Sequence, residues 1–151
     1  PPLRPRRKKG AQAQAIGLTK GGYNTKIHAL VDDRCRPYVL MITPGNTADC
    51  TVAPDCVSAL PGVKELIADK GYDSEAFRRF LKSQGITPVI PGRSNRKKKI
   101  RYKKKTYKKR NTVERSHCHT KDARRIATRY DKLAQSFLSA LCFVVLLTHW
   151  L

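Results

Sequence analysis

The chain has 151 residues, which is enough for one domain with a hydrophobic core and too short for two. Hydrophobic residues make up 40% of it, which excludes a wholly disordered chain. Its formal net charge of +21 indicates a polyanionic partner, with nucleic acid the first candidate and an anionic membrane surface the second. The five cysteines form no C-x-x-C pair, so we expect small buried apolar side chains in a reducing cytoplasm rather than a disulfide framework.

The N-terminal third predicts a basic arm followed by a β-hairpin. Residues 1–15 are basic and rich in proline, which predicts a flexible arm, and regular structure is expected only after Gly22. Residues 23–32 alternate in polarity, as a strand does, and residues 37–46 form a second, mostly apolar run. Two such runs joined by the turn-forming residues 32–34 indicate a hairpin.

The middle of the chain predicts two helices that alternate with two strands. The continuous apolar core of the first strand indicates a central position that is covered on both faces. Pro88 cannot donate to a ladder, so the second strand is predicted at an edge. Thr47 or Asp49 can cap the first helix, and Asp73 or Ser74 the second. The predicted ranges are 47–60, 63–69, 74–85 and 86–92.

The C-terminal part combines a basic run with two predicted helices. Residues 93–110 contain 12 basic residues in 18, which predicts either a phosphate-binding track or a disordered solubilising loop. Helices are predicted over about 108–129 and about 132–151. The last one is apolar all round but is too short for a bilayer span of about 20 residues, so we predict a buried core helix. The order of the elements describes a mixed α/β layer sandwich.

Two groups of residues are candidates for chemistry. Asp69 follows a predicted buried strand, where α/β sheets usually bind ligands, whereas Asp73 is read first as a helix cap. Helical spacing places a second set within about 60° of one another, at about 100° per residue. The alternative for that set is a solvated face with helix-spaced ion pairs. Its members are Tyr107, Arg110, Glu114 and Lys121.

The histidines are weaker candidates. His117 and His119 are two residues apart, so on a helix they point in different directions, and packing or solvent contact is favoured over metal binding. His28, in the middle of a predicted strand, is expected to line a cleft or to lie in the core.

Several segments resemble bacterial insertion-sequence transposases of the DDE class. The stretch YKKRNTVERSHCHTK matches Y-x2-R-x3-E-x6-K, the signature around the third acidic residue of that class. The stretch LIADKGYDSEAFRRFLKSQGITPVIPGR is similar to the block around the second. The resemblance covers about Ile16 to Leu151, and its other segments are GGYNTKIHALVD, TPGNTAD and RRIATRYDKLAQSFLSALCFVVLLTHWL.

The resemblance implies a ribonuclease H-like mixed sheet flanked by helices, with residues 16–151 as a partial catalytic domain. Asp69 and Glu114 would then be catalytic ligands of Mg²⁺, with Mn²⁺ as the alternative ion. The resemblance implies three acidic metal ligands, the first of them an Asp on a first strand that precedes the GGYNTKIH segment. No Asp or Glu precedes that segment here, so the first strand and its Asp are expected to be encoded upstream. The expected DNA-contacting residues are Tyr107, Arg110, Lys121, Arg96, Lys97, Lys98, Lys99, Lys103, Lys104 and Lys105.

The partners that the resemblance implies are the DNA ends of an insertion element, a second copy of the chain and an upstream transposase segment. The expected location is the bacterial cytoplasm at the nucleoid, with no membrane contact. With two of three metal ligands the chain is expected to be inactive alone. The alternative function is a catalytically inactive nucleic-acid-binding remnant of a transposase.

Overall fold

A computed structural model describes Gly10 and residues 13–151, so most of the predicted arm over residues 1–15 lies outside the described residues. The strands β1 (Gly17–Thr19), β2 (Gly22–Val31) and β3 (Pro37–Pro44) form an antiparallel sheet in the order β1-β2-β3. The hairpin of β2 and β3 is confirmed. Strand β1 precedes Gly22, so the prediction that structure begins only after that residue is wrong.

The hairpin turn is organised by one carboxylate. Asp32 accepts hydrogen bonds from the backbone N–H groups of Arg34 and Arg36, both at 2.9 Å, and from the guanidinium of Arg36 at 2.8 Å. These bonds satisfy donors that the sharp turn leaves without a ladder partner, and Cys35 there adopts a φ of +68°.

A second sheet consists of the parallel strands β4 (Glu65–Ile67) and β5 (Thr87–Val89). Thr87 N donates to Lys64 O, so the nitrogen of Pro88 points away from β4, and the predicted edge position is confirmed. The central position predicted for β4 is wrong, because within the described residues it pairs with β5 alone.

Six α-helices complete the described part of the chain. The predicted continuous helix over about 108–129 is wrong, because a 3₁₀ turn (Lys108–Arg110) and the extended Ala123, with a ψ of 107°, divide the segment. The N-caps of α1 and α2 are Ala48 and Ser74, and neither side chain makes a capping bond, so Thr47, Asp49 and Asp73 do not cap. The helices are α1 (Asp49–Ser58), α2 (Glu75–Ser83), α3 (Lys104–Tyr107), α4 (Asn111–Asp122), α5 (Arg124–Ala127) and α6 (Ala134–His149).

The buried apolar residues form two separate clusters. The first core joins α1, α2 and the end of β5, and its members are Ala53, Val57, Phe77, Leu81, Ile86 and Ile90. The second core joins α5 and α6, and its members are Ile126, Phe137, Leu141 and Val145. Strand β2 contributes to both, because Leu30 packs on the first core and Ile27 on the second. Successive side chains of a strand point to opposite faces, so the two cores lie on the two faces of β2.

Helix α6 is buried along one stripe only. Phe137, Leu141 and Val145 are spaced by four residues and face the second core, whereas Phe143 is 62% exposed. The prediction of a helix buried all round is therefore wrong. Cys118 and Cys142 are exposed, which contradicts the burial predicted for every cysteine. Among the described residues, no helix combines the length and the apolar character that crossing a membrane requires.

One buried ion pair network fastens the second sheet to the segment after it. The side chain of Asp73 is fully buried and binds the guanidinium groups of Arg78 at 2.8 Å and Arg96 at 2.6 Å. It also accepts a hydrogen bond from the backbone N–H of Arg93 at 2.7 Å. Burial alone would raise the pKa of Asp73, but these donors outweigh it and lower the pKa to about 2.

We expect Asp73→Asn to lower the free energy of unfolding by about 3 to 5 kcal/mol, because it leaves two arginines without their shared charge partner. Denaturant unfolding at neutral pH measures this loss. The exposed Asp33→Asn is the control and should change stability by less than about 0.5 kcal/mol. Since the folded pKa of Asp73 lies below the ordinary 3.8, its contribution is present above pH of about 4 and is lost as pH falls toward 2. The difference between wild type and Asp73→Asn should shrink over that interval, and a constant difference contradicts this assignment.

Candidate functional site

Asp69 lies at the end of β4, where the chain turns into a short 3₁₀ segment (Lys70–Tyr72). Its Oδ1 accepts a hydrogen bond from Gly71 N at 2.7 Å, which fixes the carboxylate at the start of the turn. A Cβ at position 71 would lie 2.8 Å from that oxygen, so glycine is the residue that permits the contact. The carboxylate is exposed, and Oδ2 has no hydrogen-bond partner among the described residues.

Glu114 lies in the first turn of α4, and its Oε1 pairs with Arg110 Nη2 at 2.9 Å. Arg110 closes the preceding 3₁₀ turn, and Tyr107 precedes that turn by one residue. At three residues per turn these two side chains eclipse, so Arg110 Nη1 donates to Tyr107 Oη at 3.2 Å. The ring of Tyr107 also packs edge-on against Tyr102, with centroids 5.4 Å apart.

Both predicted acids line one large cavity of about 1640 Å³. Asp69, Glu114, Arg110 and Lys121 all line it, although they come from two segments far apart in the sequence. The carboxylate of Asp69 also contributes to raising the pKa of Arg110, after the larger effects of Tyr107 and Glu114. These four side chains therefore line the same cavity, and Tyr107, which is not among its lining residues, is connected to them by its hydrogen bond with Arg110.

The basic run is divided into anchored and free residues. Arg93 donates to the carbonyl oxygens of Gly71 and Lys70 at 2.9 and 3.3 Å, and Arg96 is held by Asp73. Lys103 Nζ is paired with Glu65 on β4. The remaining lysines predicted to contact DNA are exposed and form no ion pair with the described residues; they are Lys97, Lys98, Lys99, Lys104 and Lys105.

Sequence reasoning missed three residues of this cavity. Lys26 Nζ donates to Thr47 O at 2.7 Å and to Asp49 Oδ1 at 2.9 Å, so it links the hairpin to α1 beside the cavity. Tyr72 also lines it, and burial, followed by the carboxylates of Asp49 and Asp69, raises the pKa of this phenol to about 12. The three missed residues are Lys26, Asp49 and Tyr72. Each lies in a segment that resembles the transposases, GGYNTKIH, TPGNTAD and ADKGYD respectively, and this resemblance could have identified them.

The histidines fall into two environments. His28 was predicted to line a cleft or to lie in the core, and it is both buried and part of the cavity lining. It shares a 2.7 Å hydrogen bond with Thr43 Oγ1. His117 also lines the cavity, and burial, then Lys121 and His28, lower its pKa. His119 instead packs near His149, with ring centroids 6.0 Å apart. The alternation expected for His117 and His119 is confirmed.

The carboxylates suit a divalent cation in their chemistry but form an incomplete set. Oxygen atoms of Asp and Glu are the ligands that Mg²⁺ prefers. Within the part of the chain that the structure describes, no group of three or more His, Cys, Asp or Glu side chains could hold a metal ion. Asp69 and Glu114 thus have the chemistry of magnesium ligands, but the described residues alone do not complete a metal site.

A family model described as the transposase DDE domain matches residues 4–147. The chain belongs to the DDE transposase family. This confirms the resemblance found in the sequence, and the family implies a ribonuclease H-like fold, divalent metal dependence and binding of insertion-element DNA ends. The α/β architecture of the structure agrees with that fold.

Three relatives show how much of a transposase this chain represents. It is 35% identical over 115 residues to the putative transposase for insertion sequence element IS6501 of Brucella ovis, which covers 76% of this chain and 88% of that protein. It is 30% identical over 135 residues to the putative transposase for IS402 of Burkholderia cepacia, covering 80% and 62%. It is 34% identical over 143 residues to the transposase for IS1106 of Neisseria meningitidis serogroup B, covering 86% and 48%. The chain thus spans less than two thirds of the second and third of these relatives.

We expect the phenol of Tyr72 to titrate near pH 12, well above an ordinary tyrosine near 10. An ultraviolet absorbance titration of wild type against Tyr72→Phe isolates that single phenol. Since the folded pKa is the higher one, the contribution of Tyr72 to stability is present below pH 10 and is lost as pH rises toward 12. Tyr130→Phe, which removes one exposed phenol, is the matched control and should leave the component near pH 12 in place. Loss of the same component in both variants contradicts the assignment of the raised pKa to the half-buried Tyr72 near Asp49 and Asp69.

Proposed function

We propose that this chain is the C-terminal part of the catalytic domain of an insertion-sequence transposase, which cleaves the DNA ends of its element and joins them to a target. The observation that carries the proposal is that Asp69 and Glu114 line the same cavity. Arg110 pairs with Glu114, and the carboxylate of Asp69 contributes to its raised pKa. Family membership supplies the reaction class.

In this proposal Asp69 and Glu114 hold Mg²⁺, with Mn²⁺ as the alternative ion. When bound, such ions activate the attacking water or 3′-hydroxyl and stabilise the leaving oxygen of a phosphodiester. The residues of the chain have separate tasks. Gly71 N–H holds Asp69 in one orientation, and Arg110 balances the charge of Glu114 and offers its other donors to a DNA phosphate. Lys121, about two turns after Glu114 on the same helix, offers a second cation to the DNA backbone.

The free lysines of the basic run form the proposed DNA track. Lys97, Lys98 and Lys99 are exposed beside the segment that Arg93 and Arg96 fasten to Asp73. Anchored residues position a segment, whereas free cations can neutralise phosphates. We therefore assign Arg96 and Lys103 to positioning and the other lysines to contact. In this proposal Tyr107, which packs on Tyr102, stacks on an exposed terminal base.

The proposed assembly is a homodimer on paired DNA ends at the nucleoid in the bacterial cytoplasm. A dimer with two-fold symmetry would supply one active site for each of the two paired ends. An upstream transposase segment would complete each site with its remaining carboxylate.

The second candidate function is a nucleic-acid-binding remnant without catalytic activity. The incomplete set of possible metal ligands among the described residues favours it. The high positive charge supports DNA binding under both proposals, so only a cleavage assay separates them.

We expect Asp69→Asn and Glu114→Gln each to reduce strand cleavage more than about 100-fold, or about 2.7 kcal/mol of transition-state stabilisation. The assay uses the chain joined to the part of the IS1106 relative that it does not match, with labelled element ends and Mg²⁺. Asp55→Asn, an exposed acid outside the cavity, is the matched control and should retain activity. Cleavage that persists in both variants contradicts the catalytic proposal. Absence of cleavage by the unaltered joined chain favours the second candidate, an inactive nucleic-acid-binding remnant.

Replacing Lys97, Lys98 and Lys99 together by alanine should flatten the salt dependence of duplex DNA binding. Each lost phosphate contact reduces the slope of log K against log salt by about 0.9, so we expect a reduction of about 2.7. The control removes the same charge elsewhere, by alanine at the exposed Lys20, Lys82 and Lys132. Equal slopes for the two triple variants would show that Lys97, Lys98 and Lys99 contact DNA phosphates no more than the control lysines do.

A further inference from the structure

The outer face of helix α6 is apolar and exposed within the described part of the chain. The opposite stripe of the helix is buried in the second core. Soluble proteins rarely keep several large apolar side chains exposed side by side unless that surface binds something. The exposed side chains are Phe143 at 62%, Leu146 at 48%, Leu147 at 49% and, directly after the helix, Trp150 at 41%.

The residues of this outer face have the spacing of a helix-packing seam. Positions 136, 139, 143, 146 and 150 follow one another in steps of three and four residues, as in a coiled coil, and all five are exposed. At about 100° per residue, their mean direction lies about 180° from that of the buried stripe. We call this set the outer seam; its members are Ser136, Ser139, Phe143, Leu146 and Trp150.

The outer seam is small at one end and bulky at the other. Ser136 and Ser139 occupy its first half, and the three large apolar residues occupy its second half. Two such helices packed in the same direction would place serine against serine and tryptophan against tryptophan, so the helices would splay apart. Packed in opposite directions, the small end of each faces the bulky end of the other, and the side chains interdigitate along the whole seam. The sequence of the seam therefore favours an antiparallel pair of identical helices.

The distribution of charge also favours a second copy as the partner. The segment from Ala134 to Leu151 contains no Asp, Glu, Lys or Arg, although the whole chain carries a formal charge of +21. Two such chains repel each other, and the outer seam lets them meet without placing like charges in contact. A lipid surface suits the seam less well, because helices that lie on membranes carry Lys and Arg beside their apolar face.

The bulky end of the seam is held in place by the β2–β3 hairpin. Trp150 Nε1 donates to Pro37 O at 3.3 Å, and its ring meets that of Tyr38 edge-on, with centroids 5.1 Å apart. The guanidinium of Arg36 lies 4.8 Å from the centroid of the same indole ring. A side chain that is already fixed loses little entropy on binding, so Trp150 is a preformed anchor for a partner.

We propose that the outer seam of α6 binds the same seam of a second copy of the chain, as an antiparallel helix pair with Phe143 near the two-fold axis. The pair names the surface that joins the two copies in the assembly proposed above, and it rests on that proposal for its role at DNA ends. A helix of 16 residues is about 24 Å long. Its one face buries less than the about 800 Å² per partner of a standard interface, so the pair dissociates at micromolar concentrations.

Analytical ultracentrifugation of the 151-residue chain, without DNA or metal, measures the pair. We expect a monomer–dimer equilibrium between about 1 and 200 μM. Raising the salt from about 0.1 to 0.5 M should tighten the dimer, because it screens the repulsion between the two basic chains. A dimer bridged by residual nucleic acid would weaken instead, because salt releases phosphate contacts. Failure of the cleavage assay leaves this measurement unchanged, so the two proposals are tested separately.

Substitutions at Phe143 locate the contact. Phe143→Glu places a carboxylate at the axis from both copies and should weaken the dimer more than about 30-fold. Leu18→Glu is the matched control, since Leu18 is 64% exposed but belongs to β1, and it should leave the dimer unchanged. Phe143→Lys should weaken the dimer as Phe143→Glu does, whereas an equimolar mixture of the two variants should restore it, because opposite charges then meet at the axis. Restoration in the mixture separates a lost contact from a damaged fold.

Spin labels report the direction of the helices. A label at Ser136→Cys is used in a chain whose exposed Cys118 and Cys142 are replaced by serine. Antiparallel helices hold the two labels more than about 15 Å apart, whereas parallel helices bring them within about 10 Å.

The proposal is overturned if the chain sediments as a monomer throughout the concentration range, or if Phe143→Glu leaves the dimer intact. Labels that lie side by side would also overturn it. A monomeric chain that binds anionic lipid vesicles, and loses that binding in Phe143→Glu, would overturn it by showing that lipid covers the outer seam.

Discussion

The position of the candidate site depends on the buried carboxylate of Asp73. This one side chain holds Arg78 on α2 and Arg96 in the basic run, and Arg78 in turn donates to Ile90 O at the end of β5. A buried charge of this kind is tolerated only when its donors are complete. Arg93, whose backbone N–H also donates to Asp73, binds through its guanidinium to the carbonyl oxygens of the turn that follows Asp69. The catalytic candidate and the basic run are thus fixed relative to each other through a single network.

Local sequence patterns predicted which strands and helices form better than they predicted which of these elements pack together. The alternation of β2 and the proline of β5 indicated a hairpin and an edge, because each is a property of a few consecutive residues. The apolar run of β4 was read as a strand with two neighbours, yet a run cannot reveal which partners are present. The helix after residue 108 was read as continuous, because helical spacing does not distinguish a 3₁₀ turn from an α-helical one.

The candidate site was predictable mainly through resemblance to a family. Asp69 alone suggested a ligand crevice, and Glu114 alone was equally consistent with the surface ion pair that it forms with Arg110. Lys26, Asp49 and Tyr72 were missed because their role depends on tertiary contacts between the hairpin, α1 and the turn after β4. No periodicity within one element encodes a contact between three elements.

The division of the core connects fold and chemistry. Asp69 follows directly from β4, a strand of three residues with one hydrogen-bonded partner, and Glu114 belongs to a helix that packs against β2 and α6. Asp69 is therefore attached to the second sheet, whereas Glu114 is attached to a helix that packs on the first sheet. The turn after Asp69 is held by Arg93, whose guanidinium binds the carbonyl oxygens of Lys70 and Gly71. The separation of Asp69 and Glu114 therefore depends on the contacts that join the two sheets through α1. Leu66 of β4 packs on the core that contains Ala53 of α1, and Lys26 of β2 pairs with Asp49 of α1.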